Sequence, residues 1–223
     1  ATAGEDAPTS VSRNDSARAP SQGTVDVTFE RVAQPAQRLI DTGHEVLVNP
    51  RLSVVLDAQL GPHVYFYAQS RVDRDFDPSH KGARIGLDEY ALRVSPWEDG
   101  RLDFQIGKFA TVVGNFVKRH LSWENPFVTA PLPHENLTPA SDRRAPASFQ
   151  EFTSGFIPTE DANVPLIWGP SYASGASVSG RVGTFEYAAE IKNSALASRR
   201  GRWDAPQVRL ARPVVHGRMG FPH

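Results

Sequence analysis

The sequence predicts an all-β protein whose strands follow one another in an antiparallel, up-and-down order. Segments throughout the chain alternate apolar and polar side chains with a period of two, as a strand with one apolar and one polar face does. Short turn sequences, among them Gly61-Pro62 and PWEDG at 96–100, separate pairs of these segments. We expect about eight strands of roughly nine to eleven residues, longer than the roughly five to six residues usual in soluble sheets.

The elements can be assigned in chain order. Residues 1–22 are rich in Ala, Ser, Pro and charged residues, so we expect a flexible N-terminal arm. A long loop, 110–174, carries many prolines and aromatic residues and interrupts the alternation within the remaining β region, 23–223. The predicted strands are Thr24–Val32, Arg51–Leu60, His63–Asp73, Leu87–Ser95, Arg101–Phe109, Gly175–Val182, Phe185–Lys192, and a last one from Gln207 to about Val215.

Composition excludes several classes of protein. Lys and Arg number 24 and Asp and Glu 25, so bulk charge does not favour nucleic acid. No apolar run approaches the roughly 18 residues that a membrane-spanning helix needs. The absence of cysteine excludes disulfides, thiolate zinc sites and cysteine nucleophiles, and is compatible with the cytosol or with a bacterial envelope. The start at Ala1 is expected of a chain whose signal peptide was removed, or of a trimmed chain.

The periodicity identifies the two faces of each strand but not which face points outward. A soluble β-sandwich buries its apolar faces, whereas a transmembrane barrel turns them towards lipid and its polar faces towards a watery lumen. Long strands, polar faces with charges of both signs, and apolar faces of modest bulk favour the barrel. From the pattern alone, the barrel and the sandwich or jelly roll stay open as alternatives.

One segment resembles a known family. GKFATVVGNF, residues 107–116, resembles the G-[QK]-F-x-T-P-F-G element of the phosphate-selective porins, and the chain from about Asn49 onward is similar to porin-like outer-membrane proteins of Gram-negative bacteria. The resemblance implies an antiparallel up-and-down transmembrane β-barrel through which small hydrophilic solutes or ions diffuse, without catalysis and without a cofactor. Thr111-Val112-Val113-Gly114 departs from the family's Thr-Pro-Phe-Gly, so phosphate selectivity is not carried over. Because the family's barrels are about twice as strand-rich, we expect this chain to supply part of a barrel.

Charged residues on the polar faces and in the long loop are the candidates for a pore lining. The long loop is expected to fold into the lumen, where a basic cluster would set a local preference for anions. The predicted lining residues are Arg51, Asp57, Arg71, Arg93, Arg101, Asp103, Lys118, Arg119, Arg181, Glu186 and Glu190.

Two other groups of acidic residues bear on metal binding and on catalysis. Asp73, Asp75 and Asp77 have the spacing that opens a calcium loop, but Pro78 and Arg84 stand where that loop needs glycine and glutamate. We therefore expect a solvated acidic loop, with a calcium site of another kind as the alternative. The seven scattered histidines do not predict a zinc site.

Asp88 and Glu89, with Glu186 and Glu190, resemble the carboxylate pairs of glycosidases only in residue type. The spacing does not bring them together, so they are predicted to be wall residues and not catalytic ones.

The expected location is the bacterial outer membrane. The expected partners are its lipid, small hydrophilic solutes, and a second copy or partner chain that completes the sheet; nucleic acid is not expected. One alternative is a secreted or periplasmic β-sandwich that binds carbohydrate, and another is a β-rich subunit completed by a partner. The residues that would stack on sugars in that sandwich are Tyr65, Tyr67, Trp97 and Trp168.

Overall fold

A computed structural model describes residues 21–31, 46–73, 84–117, 131–138, 147–154, 164–198 and 213–221. Within these residues, eight strands form one antiparallel sheet in the order of the chain, which confirms the all-β prediction. They are β1 (Ser21–Arg31), β2 (Val46–Gln59), β3 (Val64–Asp73), β4 (Arg84–Val94), β5 (Asp103–Phe109), β6 (Ala173–Val182), β7 (Phe185–Lys192) and β8 (Val214–Gly220). Two short helices, α1 (Leu132–Glu135) and α2 (Phe149–Ser154), lie in the long loop. No helix in the described part of the chain is long and apolar enough to cross a membrane.

The strand bounds agree with the alternation where polar and apolar residues are cleanly separated. The predicted seventh strand has the same bounds as β7. β1 begins at Ser21, two residues inside the predicted arm, and the rest of that arm lies outside the described residues. The predicted last strand overlaps β8 at Val214 and Val215 but stops five residues short of its end at Gly220, and residues 199–212 are not described.

β2 is longer than predicted at its N-terminal end because Pro50 is tolerated there. Pro50 lies opposite Val27 of β1, whereas the pairing of β2 with β3 starts only at Leu52. Proline has no N–H to donate, so it is confined to strand positions where one side makes no ladder bond. Among the described residues, 46–51 therefore pair with β1 alone.

The register sets a row of polar residues beside a row of apolar ones across β2 to β8. Neighbouring residues of a strand point to opposite sides of the sheet, so the two rows define an apolar face and a polar face. The apolar row comprises Ala58, Phe66, Leu92, Ile106, Ala176, Ile191 and Val215. The polar row comprises Gln59, Tyr65, Arg93, Gln105, Ser177, Glu190 and His216.

The apolar face is the exposed one. Leu92, Ile106, Ile191 and Val215 are 36%, 62%, 46% and 71% exposed, whereas Glu190 of the polar row is 2% exposed. A soluble monomer rarely exposes so continuous a row of large apolar side chains. An exposed apolar surface of this extent marks a contact with lipid or with another protein.

The buried apolar cluster lies in the long loop and at its junction with the sheet. Leu137, Trp168, Tyr172 and Ala173 form the cluster, and Ala110 packs against it. In a soluble core, the large apolar residues of the strands would be buried together. Here they are exposed or half-buried: Leu52, Leu56, Phe66 and Phe104.

β1 and β8 are the edges of the sheet. Among the described strands, β1 pairs only with β2 and β8 only with β7, so the sheet is open along both edges. Unpaired edges present free N–H and C=O groups that bind further strands readily.

Candidate functional site

Glu190 joins the polar face to the start of the long loop. Its carboxylate accepts a hydrogen bond from the Thr111 hydroxyl at 2.6 Å and one from the Val112 backbone N–H at 3.0 Å. His216, the neighbour of Glu190 on β8, places Nδ1 3.1 Å from the same carboxylate. A buried carboxylate is stable only when it is paired and hydrogen-bonded, so these contacts explain how Glu190 is accommodated.

Two further charged side chains of the sheet hold the same part of the loop. Lys192 donates to the backbone carbonyl of Phe109 and to that of Ser171 at 3.1 Å, and its ammonium lies 3.6 Å from Glu190. Glu89 of β4 accepts a hydrogen bond from the Ala110 backbone N–H at 2.6 Å. Together with Glu190, these residues form what we call the loop anchor, a charged group that fixes residues 109–112 against the polar face.

The described parts of the loop also bind one another. Thr111 N donates to the Pro170 carbonyl at 2.9 Å, and His134 of α1 donates from Nδ1 to the Gly169 carbonyl, 3.1 Å away. Burial lowers the pKa of His134 below its usual value, because the charged imidazolium is poorly solvated there. The loop segments 109–117, 131–138 and 164–172 are therefore built as one packed unit over part of the polar face.

Tyr65, Tyr67 and Arg93 form a separate strip on the polar face, which we call the tyrosine–arginine strip. The two rings are 6.1 Å apart between centroids, and the Arg93 guanidinium carbon is 6.0 and 5.9 Å from them. Gln105 accepts hydrogen bonds from Arg93 and donates one to the Tyr67 hydroxyl, at 3.1 Å. Tyr65 donates its hydroxyl proton to Asp57.

The predicted lining residues of the strands lie on the polar face in pairs and networks. Arg71 is buried in an ion pair with Asp88, with 3.0 Å between Nε and Oδ2. Asp103 accepts a hydrogen bond from the Ser95 hydroxyl. At the far end of the hairpin formed by β6 and β7, Glu186 pairs with Arg181.

Other predicted positions differ or are not described. Arg101 lies in the turn before β5, since that strand begins two residues later than predicted, and its guanidinium beside Asp99 lowers the pKa of that carboxyl. Lys118 and Arg119 fall outside the described residues, as does the side chain of Arg51. Asp75 and Asp77 of the acidic loop are likewise outside them, and the described residues hold no cluster of three metal-ligating groups.

The proposed sugar-stacking role of Trp168 is wrong, since that side chain is 0% exposed in the loop cluster. Trp97 is in the exposed turn between β4 and β5, with the Arg101 guanidinium 5.7 Å from its ring centroid. Tyr65 and Tyr67 remain accessible in part on the polar face.

Sequence reasoning missed Lys192 and the role of Glu89 as an anchor. Lys192 was assigned correctly to the polar side of its strand, but its backbone partners are 83 and 21 positions away. The only sequence signal was a charged residue at a position expected to face inward.

No protein-family model matches the chain, and no curated protein matches it. A functional assignment therefore depends on the geometry of the sheet and the loop.

Replacing Glu190 by glutamine is expected to destabilise the packing of the first part of the long loop, residues 109–117, against the polar face. One oxygen that accepts a hydrogen bond becomes an amide NH₂, which cannot accept from the Thr111 hydroxyl or the Val112 N–H. A buried donor without an acceptor costs about 1–3 kcal/mol. Amide exchange in residues 109–117 should therefore be about five- to 140-fold faster, as measured by hydrogen–deuterium exchange mass spectrometry.

The matched control is Asp99→Asn in the turn between β4 and β5. Asp99 pairs with the exposed Arg101, and an exposed ion pair contributes little to stability. Exchange in 109–117 should not change in this variant. Equal exchange rates in the two variants would contradict the anchoring role of Glu190.

Proposed function

We propose that the chain is a porin-like component of a bacterial outer-membrane channel, through which small hydrophilic solutes or ions diffuse passively. In this proposal the apolar face contacts lipid and the polar face lines an aqueous passage. The protein then needs no catalytic group and no cofactor, and a signal peptide would have directed it to the envelope.

The observation that carries the proposal is the exposure of the large aliphatic residues of the apolar row beside a polar row that is half-buried or, at Glu190, fully buried. In water, a fully exposed Leu, Ile or Val forgoes about 1.5–3 kcal/mol relative to a buried one. Leu92, Ile106, Ile191 and Val215 are 36–71% exposed, so each forgoes part of that stabilisation. Against hydrocarbon the same row is favourable, and the polar groups of the opposite row meet water and one another. The alternation of apolar-out and polar-in residues is the pattern of transmembrane barrels.

The long loop supports the proposal in a second way. Its described segments pack over the polar face and are fixed there by Glu89, Glu190 and Lys192. A loop held against the lumen wall narrows the passage, and the charges around it select among solutes.

The open edges indicate what the channel still requires. Unpaired backbone groups in lipid cost several kcal/mol each, so β1 and β8 must be paired in the membrane. Either the two edges pair with each other, or strands of a second copy or a partner chain complete the barrel. The backbone of β8 offers seven residues for such pairing.

Planar-bilayer recording of the full chain, purified in detergent, tests the proposal. We expect stepwise, ohmic current increments, and faster migration of unheated than of boiled protein in SDS gels, since folded barrels resist SDS. A chain that stays monodisperse in detergent-free buffer and leaves the bilayer current at its baseline would contradict the proposal. That outcome would favour the soluble carbohydrate-binding module.

A further inference from the structure

We propose that the tyrosine–arginine strip is a binding subsite for acidic sugars, that is, pyranose rings that carry a carboxylate. This inference rests on the proposed channel function, because an aqueous passage is what brings solutes to the polar face. It deepens that proposal by naming the class of solute that the wall would bind.

Tyr65 and Tyr67 supply two adjoining ring surfaces. They are two residues apart on β3 and therefore share the polar face, and their rings are inclined to each other by 28°. Both side chains are only half-buried, so part of each ring is accessible. Aromatic rings offer a rigid surface against which the apolar C–H face of a sugar can pack. Two adjoining tyrosine rings can contact two consecutive units of an oligosaccharide.

Arg93 adds a cation that is held in place without a carboxylate partner. Gln105 Oε1 accepts hydrogen bonds from Nε and Nη2 at 3.3 and 3.0 Å, which orients the guanidinium. Arg71 and Lys192 are each paired with a carboxylate, whereas no carboxylate of the described residues lies within 4.0 Å of Arg93. Arginine has five N–H donors, so Nη1 remains to bind the carboxylate of a ligand.

Asp57 and Gln105 place hydroxyl-binding groups beside the rings. Asp57 accepts a hydrogen bond from the Tyr65 hydroxyl, and Gln105 Nε2 donates one to the Tyr67 hydroxyl. Carboxylate and amide groups next to an aromatic surface can bind the hydroxyls of a sugar. An aromatic acid, which could also stack on the rings and bind Arg93, has no such hydroxyls. A small inorganic anion would use Arg93 and leave the rings unused. The full set of groups therefore matches a sugar acid best.

The test is the block of channel current by three probes: trigalacturonate, the neutral maltotriose, and acetate. We expect trigalacturonate to block at the lowest concentration. Tyr67→Ala should raise its half-blocking concentration about tenfold, the usual effect of losing one well-packed contact, and Tyr67→Phe should not. Arg93→Gln should raise it by a similar factor and leave the weaker block by maltotriose unchanged. The control Arg181→Gln removes an exposed, paired arginine and should change neither.

Calorimetric titration of the same probes into the protein in detergent separates this inference from the channel proposal. Binding of trigalacturonate that is weakened by Tyr67→Ala and Arg93→Gln supports the subsite even where no current is seen, and in that case only the channel proposal fails. Equal binding of the three probes, or affinities that the two substitutions leave unchanged, would overturn the subsite.

Discussion

Arginine in place of Ile106 is expected to prevent stable insertion of the protein into lipid vesicles. Ile106 is 62% exposed at the centre of the apolar row, with Leu92 and Ala176 as its cross-strand neighbours. A charged side chain on the lipid face of a barrel costs about 2–4 kcal/mol near the bilayer midplane. The urea concentration at which half of the chain is inserted should therefore fall clearly, and the folded band in unheated SDS gels should weaken.

The matched control is Ser179→Arg on β6. It puts the same side chain on the polar face, where the cross-strand neighbour of Ser179 on β5 is the acidic residue Asp103. Insertion should change little, because the added charge meets water in the lumen. In a soluble protein Ile106→Arg would place a charge on an exposed surface at almost no cost. Equal insertion of both variants would therefore contradict the lipid-facing assignment.

Valine in place of Gly107 is expected to disrupt the pairing of β4 with β5. Gly107 has φ +144°, which side chains with a Cβ rarely adopt, and an added Cβ would lie 2.2 Å from the Tyr90 carbonyl oxygen and 2.7 Å from the Ala91 Cα. Backbone atoms of a paired strand cannot move aside without breaking the ladder. We expect a loss of more than about 3 kcal/mol, among the largest effects of a single substitution. Urea unfolding in detergent, followed by circular dichroism, measures it.

Gly220→Ala is the control for this prediction. An added Cβ at Gly220, at the end of β8, meets nothing within 4 Å. Its unfolding midpoint should stay close to that of the unchanged chain. A midpoint for Gly107→Val that matches the one for Gly220→Ala would show that the close approach of β4 and β5 does not constrain the fold.

The sequence was sufficient for the strands in which polar and apolar residues alternate without interruption. Phe185–Lys192 is an example, since its alternation from Phe185 to Lys192 predicts both bounds of β7. The predicted last strand ended near Val215, short of the end of β8, because Gly217 and Gly220 supply no side chain to the alternation. The predicted second strand began at Arg51, five residues after the start of β2, because the dipeptide Asn49-Pro50 is typical of a turn. Pro50 is accommodated in the strand, where it lies opposite Val27 of β1.

The membership of the polar face could be predicted, but its connection to the loop could not. Periodicity placed Glu190 and Arg93 on polar faces, and the register confirms that they share one row. The partners of Glu190 at Thr111 and Val112 are 79 and 78 positions away, so their contact depends on how the loop returns to the sheet. The direction of the faces was also beyond the sequence, because period two is the same whether an apolar row faces lipid or a protein interior.

Thiol accessibility at neighbouring positions tests the central claim most directly. The chain has no cysteine, so each single-cysteine variant carries one thiol. Two adjacent pairs serve: Gln105→Cys with Ile106→Cys on β5, and Ser177→Cys with Ala176→Cys on β6. In protein inserted into lipid vesicles, a membrane-impermeant maleimide should label the thiols at 105 and 177 and spare those at 106 and 176 until the protein is denatured. Rapid labelling at 106 and 176, with protection at 105 and 177, would contradict the arrangement of an apolar face against lipid and a polar face against water.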